Sequence, residues 1–335
     1  MRLPPDLLLN PSAAWTALSH KPAGLLTDVD GTLSPITDQP DRSVLHPVVP
    51  ELLRRLSKRL DLVAVISGRP VSQLLPLVGV EGLVYVGNHG LEWWQDGRAV
   101  VVPQAEPFLE VIAEAVRELR GEIQLPGVLV EEKGASATIH YRLTDDPETA
   151  RRTILETLSR APSVRGLQLT EGRMTVNLLP PVSVDKGSAV ERLARERGLR
   201  GALYLGDDVT DVDALLALRD LRRRGGIDSL GVAVGSTEAP ADLMEAADCR
   251  LEGVEAVVSF LQATADHLDS TAGLPDGASP TGIGRSAGPC ALPTVGVHRI
   301  SHVVVHTPPS TMGQRRKAEQ QDGRAGRPAL RIETT

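Results

Sequence analysis

Short apolar runs alternate with amphipathic stretches along most of the chain, and the alternation changes character twice. In the first hundred residues, segments 23–27, 62–66 and 83–86 are apolar almost without interruption, as strands buried on both faces of a parallel sheet are. Between them, 47–59 and 70–77 carry apolar residues at helical spacing. The same alternation resumes after residue 185, with helices predicted at 188–197, 212–222, 240–246 and 254–261 and strands at 202–205, 230–234 and 249–251. Strands alternating with helices predict βαβ units and a doubly wound α/β fold built on a parallel sheet.

Between the two halves the order becomes helix, strand, strand, helix, strand, strand. The predicted spans are 106–120, 128–133, 136–142, 147–158, 166–169 and 174–179, closed by Pro180-Pro181. This pattern predicts a smaller α/β cap domain, 101–180, inserted into a discontinuous core formed by 1–100 and 181–265. Such a cap can exclude water and bring substrate-specific groups over a shared site. Past residue 265 the periodicity is lost: 269–289 is rich in Gly, Ser, Pro, Thr and Ala, and 312–327 is polar and basic. Residues 266–335 are expected to form a disordered tail. A basic nucleic-acid-binding tail is the alternative, resting on Arg315, Arg316 and Lys317.

Composition narrows the partners more than the fold. The 335 residues suffice for two domains, and 41% hydrophobic with 24% charged content is that of a soluble globular protein. Aromatics make up only 2%, so the core must come from Leu, Val, Ile and Ala. A net charge of −7, with no basic stripe in the folded region, argues against nucleic acid as a partner. Cys249 and Cys290 support neither a disulfide framework nor a zinc site. Pro4, Pro5 and Asp6 interrupt any signal-peptide core, and no stretch approaches the roughly 18 apolar residues of a membrane span. A cytoplasmic protein with no membrane partner is the expectation.

Polar residues cluster just past the predicted strand ends. Thr27-Asp28-Val29-Asp30-Gly31-Thr32 follows the first strand, and the period of two turns Asp28 and Asp30 toward one crevice. Alone, the string reads as a strand ending in an Asp-Gly turn. It is joined by Ser67-Gly68-Arg69 after the second strand, and by Asp185-Lys186-Gly187, where Asp185 is a plausible helix N-cap. Gly206-Asp207-Asp208-Val209-Thr210-Asp211 follows the strand at 202–205. In this order the strings resemble the four motifs of the haloacid-dehalogenase-like phosphatases: D-x-D-x-T, a Ser or Thr, a Lys and an acidic cluster.

The resemblance implies that Asp28 is the nucleophile of an aspartyl-phosphate mechanism and Asp30 the general acid and base. It implies a Mg²⁺ ion held by Asp28, Asp207 and the Asp30 carbonyl, with Asp208 a further ligand or water-mediated partner and Asp211 behind them. Ser67 and Lys186 would hold the phosphoryl oxygens.

Three further strings resemble the trehalose-6-phosphate phosphatases within that group. They are Gly87-Asn88-His89-Gly90, Val130-Glu131-Glu132-Lys133 and His140-Tyr141-Arg142. The resemblance implies that Gly68, Arg69, Asn88, His89, Glu131, Lys133 and Asn177 bind a small-molecule sugar phosphate, while His140 and Arg142 could equally be structural. Where that family usually reads E-x-R-P, the last cap strand here reads Asn177-Leu178-Leu179-Pro180. A phosphatase for another sugar phosphate, such as a sucrose, mannosyl or glucosyl ester, therefore stays open. A catalytically silent sugar-phosphate sensor is the third reading, against which both Asp28 and Asp30 are present.

Overall fold

The computed structural model describes residues 3–37, 43–172, 174–235 and 239–271. The first part of the chain forms α1 (Ser12–Ser19), β1 (Ala23–Thr27), α2 (Val49–Ser57), β2 (Leu62–Ile66), α3 (Val71–Val78), β3 (Val84–Gly87), β4 (Glu92–Gln95) and β5 (Arg98–Val101). Then come α4 (Leu109–Glu122), β6 (Leu129–Glu132), β7 (Ala137–His140), α5 (Pro147–Arg160), β8 (Gln168–Gly172) and β9 (Thr175–Leu179). The last part forms α6 (Lys186–Glu196), β10 (Gly201–Gly206), α7 (Val212–Arg223), β11 (Asp228–Val234), α8 (Ala241–Ala246), β12 (Cys249–Leu251) and α9 (Gly253–Thr271).

One sheet has the strand order β12-β11-β10-β1-β2-β3-β4-β5, parallel from β12 to β3 and antiparallel across β3, β4 and β5. Its central strands β1, β2 and β10 are buried along their whole length. The reason is helical cover on both faces. Leu25, Val63 and Leu203 enter an apolar layer with residues of α1, α2 and α9, while their neighbours Leu26, Ala64 and Tyr204 enter a second layer with α6, α7 and α8. Burial on both sides removes the polar alternation that a one-sided sheet would show.

The second sheet, β6-β7-β9-β8, is antiparallel throughout. Val130, Ala137, Ile139, Val176 and Leu178 pack with Ile112, Val116, Leu119 and Ile154 of α4 and α5 into a third apolar cluster. One face is thereby spent on helices, and the alternating residues Glu131, Thr138, His140 and Asn177 are left for the other. This is the cap of a capped α/β fold.

Three differences from the sequence expectation have local causes. The β4–β5 hairpin turns at Asp96-Gly97, both at positive φ (50° and 78°), the Asp-Gly signature of a tight two-residue turn. Helix α1 carries only Ala14, Ala17 and Leu18 to the interior, too small an apolar stripe to stand out in the sequence. Helix α9 continues ten residues beyond the predicted end at 261, so 266–271 belong to the fold and not to a tail. Leu268 packs on the core, His267 stacks on Trp15 with ring centroids 4.2 Å apart, and Asp266 and Asp269 pair with Arg55. The rest of the expected tail, with Cys290 and the basic residues 315–317, lies outside the described residues. No helix among the described residues is long and apolar enough to cross a membrane.

A chain ending at residue 265 is expected to melt about 2–5 °C below one ending at 271, because the shorter chain loses Leu268 and the Trp15–His267 stack. Thermal unfolding of the two truncations measures this. Equal melting temperatures would show that the last helical turns add nothing to stability.

Candidate active site

The chain runs outward from β1 through β2 to β3 on one side, and from β10 through β11 to β12 on the other. The change of direction falls between β1 and β10, and ligands of open α/β sheets bind beyond the strand ends at such a point. Asp28 follows β1 and Asp207 follows β10. The Asp28 backbone N–H donates to the Leu205 carbonyl at 2.8 Å, which holds the two strand ends in register. Gly31, at φ +80°, passes so close to Asp207 that a β-carbon there would stand 1.9 Å from its Oδ2.

Helix α6 begins where the sequence placed its cap. The Ser188 N–H donates to Asp185 Oδ1 at 2.7 Å, and the Asp185 N–H donates to Ser188 Oγ at 2.9 Å. Lys186 is thus fixed in the first turn, where its ammonium opposes the helix dipole. It is also 2% exposed. Two ion pairs hold it there, to Asp211 at 2.7 Å and to Asp28 at 3.1 Å. Burial alone would pull the Lys186 pKa down, but Asp211 and Asp28 outweigh it and raise it.

Asp211 is fully buried and accepts four hydrogen bonds, from Lys186 Nζ, Tyr204 OH at 2.5 Å, and the backbone N–H groups of Asp207 and Asp208 at 3.0 Å each. It faces protein donors and shapes the 207–208 loop from behind. Asp208, expected among the metal ligands, lines the cavity but accepts from the Asp211 N–H, capping the short turn Val209–Asp211.

Asp28, Asp207 and Asp211 present oxygens within 4.8 Å of one another. Three carboxylates against one lysine leave a buried excess of negative charge. Burial, opposed by Lys186, pushes Asp28 up to about 7. Burial and the neighbouring Asp28 and Asp211 push Asp207 well above the usual carboxylate range. A divalent cation would remove that excess, and carboxylate oxygens suit a hard ion such as Mg²⁺. The donor set fits the expected metal.

Asp30 stands beside this cluster in a bidentate pair with Arg69, Nε to Oδ2 at 2.6 Å and Nη2 to Oδ1 at 2.8 Å. Ser43 Oγ donates to Oδ1 at 3.0 Å. Ser67 and Gly68 complete the floor with His89. The His89 ring lies so close over Gly68 that a β-carbon would meet its Cε1 at 2.6 Å. Burial, aided by Lys186 and Lys133, lowers the His89 pKa well below its ordinary value, so the ring is neutral. Its Nδ1 is buried without a partner.

The cap's polar face closes the cavity from above. Strand register sets Glu131, Thr138, Asn177 and Thr170 side by side across all four strands. Glu131 accepts from Gln73 Nε2 at 3.0 Å, meets His140 Nε2 at 2.8 Å and lies 3.7 Å from Lys133 Nζ. Burial would raise the Glu131 pKa, but His140, Lys133 and Gln73 hold it down at about 2. Asn177 accepts from Thr138 Oγ1 at 2.8 Å, and its amide reaches Thr170 Oγ1 at 3.5 Å. Leu179, on the same strand face as Asn177, lies outside the cavity lining and packs against the apolar layer of the large sheet.

The predicted site residues converge on this one cavity, with His140 and Arg142, except for Asn88 and Asp211. Asn88, expected to bind substrate, is fully buried with its amide spent on Glu92, Lys133 and Ser136. Sequence reasoning missed Gln73, Thr175, Thr210 and the 36–37 segment in the lining. Of these only Gln73 had a legible signal, four residues after Arg69 at the start of a helix.

Comparison with known proteins agrees with this geometry. The family model described as trehalose-phosphatase matches residues 26–247. A Mycobacterium tuberculosis protein described as an uncharacterized glycosyl hydrolase is 32% identical over 273 residues, covering 79% of this chain and 20% of its own length. A trehalose 6-phosphate phosphatase of Zea mays is 30% identical over 244 residues, covering 67% of this chain and 66% of its own. The chain thus spans a fifth of the first of these relatives and about two thirds of the second. Among solved structures, the C-terminal domain of the Candida albicans trehalose-6-phosphate phosphatase superposes with a TM-score of 0.65 at 22% identity, covering 78% of this chain and 98% of that domain, and so shares the fold. With more than half of its residues matched by that family model, the chain belongs to the trehalose-phosphatase family.

Proposed function

We propose that this chain hydrolyses trehalose 6-phosphate to trehalose and inorganic phosphate through a phosphorylated Asp28. The observation that carries this reading is the buried cluster at the β1–β10 crevice, where Asp28 meets Lys186 at 3.1 Å under a polar cap face.

In the first step an Asp28 carboxylate oxygen attacks phosphorus, the bond from phosphorus to the sugar oxygen breaks, and Asp30 gives its proton to that oxygen. In the second step a water attacks the same phosphorus, its proton passes to Asp30, and the bond to Asp28 breaks to release phosphate. Lys186 and Ser67 bind the phosphoryl oxygens and hold them in line with Asp28. The arriving phosphoryl group gives Arg69 a competing anion, which loosens its fork on Asp30 and lets that carboxyl transfer protons. Asp28 and Asp207 would hold Mg²⁺ with the Asp30 carbonyl. When bound, the ion neutralises the excess charge of the carboxylates and phosphoryl group. The cap supplies Glu131, Lys133 and His140 to the sugar hydroxyls, so binding energy from the remote ring aligns the ester over Asp28.

One observation favours a second reading, a phosphatase for a different sugar phosphate. Asn177 and Leu179 replace the charged pair usual in the family, and Asn177 is engaged by Thr138 and Thr170.

Asp28→Asn is expected to abolish phosphate release, since an amide is a poor nucleophile, and Asp30→Asn to slow it roughly 10²–10⁴-fold. Exhaustive chelation should silence the enzyme and Mg²⁺ restore it. Phosphate release at the normal rate by Asp28→Asn would remove the covalent mechanism.

Glu131→Ala and Lys133→Ala should each lower turnover of trehalose 6-phosphate by roughly tenfold or more, with a much smaller effect on p-nitrophenyl phosphate. The unaltered protein should turn over glucose 6-phosphate poorly. Equal rates on the two sugar phosphates would exclude trehalose 6-phosphate as the preferred substrate while leaving the phosphatase reading intact.

Asn177→Glu combined with Leu179→Arg separates the two readings of the cap. No gain on trehalose 6-phosphate is expected if the neutral row already serves that substrate. A large gain in selectivity for it would point to a different natural sugar phosphate.

A further inference from the structure

We propose that Asn88 is a positioning residue that latches the cap's β6–β7 hairpin to the core loop carrying Ser67, Gly68 and Arg69. The inference rests on the phosphatase reading for its kinetic consequence and on geometry alone for the latch itself.

Asn88 is the first of three consecutive residues at positive φ, at 49°, followed by His89 at 58° and Gly90 at 108°. Asparagine tolerates this conformation better than most side chains. Its own N–H donates to the Arg69 carbonyl at 2.9 Å, and the His89 N–H donates to the Ser67 carbonyl at 3.0 Å. The backbone at 88–89 is therefore tied to the phosphate-side loop.

The side chain reaches the other way, into the cap. Nδ2 donates to the Lys133 carbonyl at 2.9 Å and to Glu92 Oε2 at 3.0 Å, and Oδ1 accepts from Ser136 Oγ at 2.7 Å. Both amide hydrogens and the carbonyl oxygen are used. The orientation is determined by the partners, because a flipped amide would set its oxygen against a carboxylate and a carbonyl. Glu92 in turn accepts from the Val71 N–H at 2.8 Å, which fixes Asn88 to the start of α3.

Lys133 and Ser136 are the two ends of the turn joining β6 to β7, closed by the Lys133 N–H on the Ser136 carbonyl at 2.9 Å. Asn88 grips both ends. From the same turn Lys133 Nζ reaches back to the Gly68 carbonyl at 3.2 Å. Two residues along each strand from that turn stand Glu131 and Thr138, and beyond Thr138 is His140. The latch thus sets the height and register of the cap's polar face over the phosphate loop. A hairpin released at this point would carry its sugar-facing groups out of line with Asp28, while the loop that holds the phosphoryl group keeps its own backbone bonds.

The test pairs Asn88→Gly, which keeps the left-handed backbone and deletes only the latch, with Ser136→Ala, which removes a single bond of it. Amide hydrogen exchange on the full chain should speed up across residues 129–140 in both variants and stay unchanged in β1, β2 and β10. On trehalose 6-phosphate, kcat/KM of Asn88→Gly should fall roughly 10–100-fold, since a misplacement near 1 Å has effects of that size. On p-nitrophenyl phosphate it should stay within about twofold. Ser136→Ala should move both readouts in the same direction and less far.

Unchanged hairpin exchange in Ser136→Ala, or in a folded Asn88→Gly, overturns the latch. Equal loss on both esters also overturns it, because Asn88 would then act on the phosphate loop and not through the cap. If the unaltered protein hydrolyses neither ester, the phosphatase reading fails and hydrogen exchange alone decides the latch.

Discussion

A buried ammonium at the start of a helix is the constraint on which this site depends. Lys186 is desolvated and opposed by the α6 dipole, so it is stable there only between Asp28 and Asp211. Asp211 can serve only because Tyr204 and two backbone N–H groups also hold it in place. Asp28 can serve only because β1 and β10 end side by side at the centre of the large sheet. The Asp185–Ser188 capping box sets where α6 begins, and with it where the ammonium lies. Shifting any of these elements by one residue would leave a buried charge without its partner.

The constraint also explains why the cluster calls for a cation. One lysine cannot balance three carboxylates packed this closely, and burial together with the neighbouring carboxylates raises Asp28 and Asp207 above the usual carboxylate range. Beside the cluster, Asp30 is paired with Arg69 and Glu131 with Lys133. Excess negative charge is concentrated where the metal is expected.

The core motifs were legible because each is local. Asp28, Ser67, Lys186 and Asp207 lie at the ends of apolar strands or at a capped helix start, and strand period and capping chemistry suffice to place them. What stayed hidden depends on partners remote in sequence. Asn88 read as a substrate ligand from the string around it, yet its side chain answers to Lys133 and Ser136, 45 and 48 residues away. Gln73 had a local signal in its spacing from Arg69, but its bond to Glu131 across the cap boundary had none. Helix α9 outran its apolar pattern because its last turns are held partly by ion pairs to Arg55 of α2 and by an aromatic stack on α1, which leave little hydrophobic period. The β4–β5 hairpin is the exception, since its Asp-Gly turn was visible in the sequence.

The cap face is not uniform, and its gradient bears on what the cavity accepts under the proposed reading. At the β6 side stand Glu131, Lys133 and His140, all charged or able to be. Toward β8 the row continues as Thr138, Asn177 and Thr170, bonded to one another. These groups still have donor and acceptor capacity: the second Asn177 amide hydrogen, a lone pair on its oxygen and those of the threonine hydroxyls. A second sugar ring offers hydroxyls that both donate and accept, so it can join such a row without leaving a buried charge unpaired. The side chains of the row are themselves neutral, while Arg142 and Asp208 line the same cavity beside it. Under the proposed reading, loss of the family's usual charged pair at Asn177 and Leu179 leaves hydroxyl recognition on this side to neutral donors and acceptors.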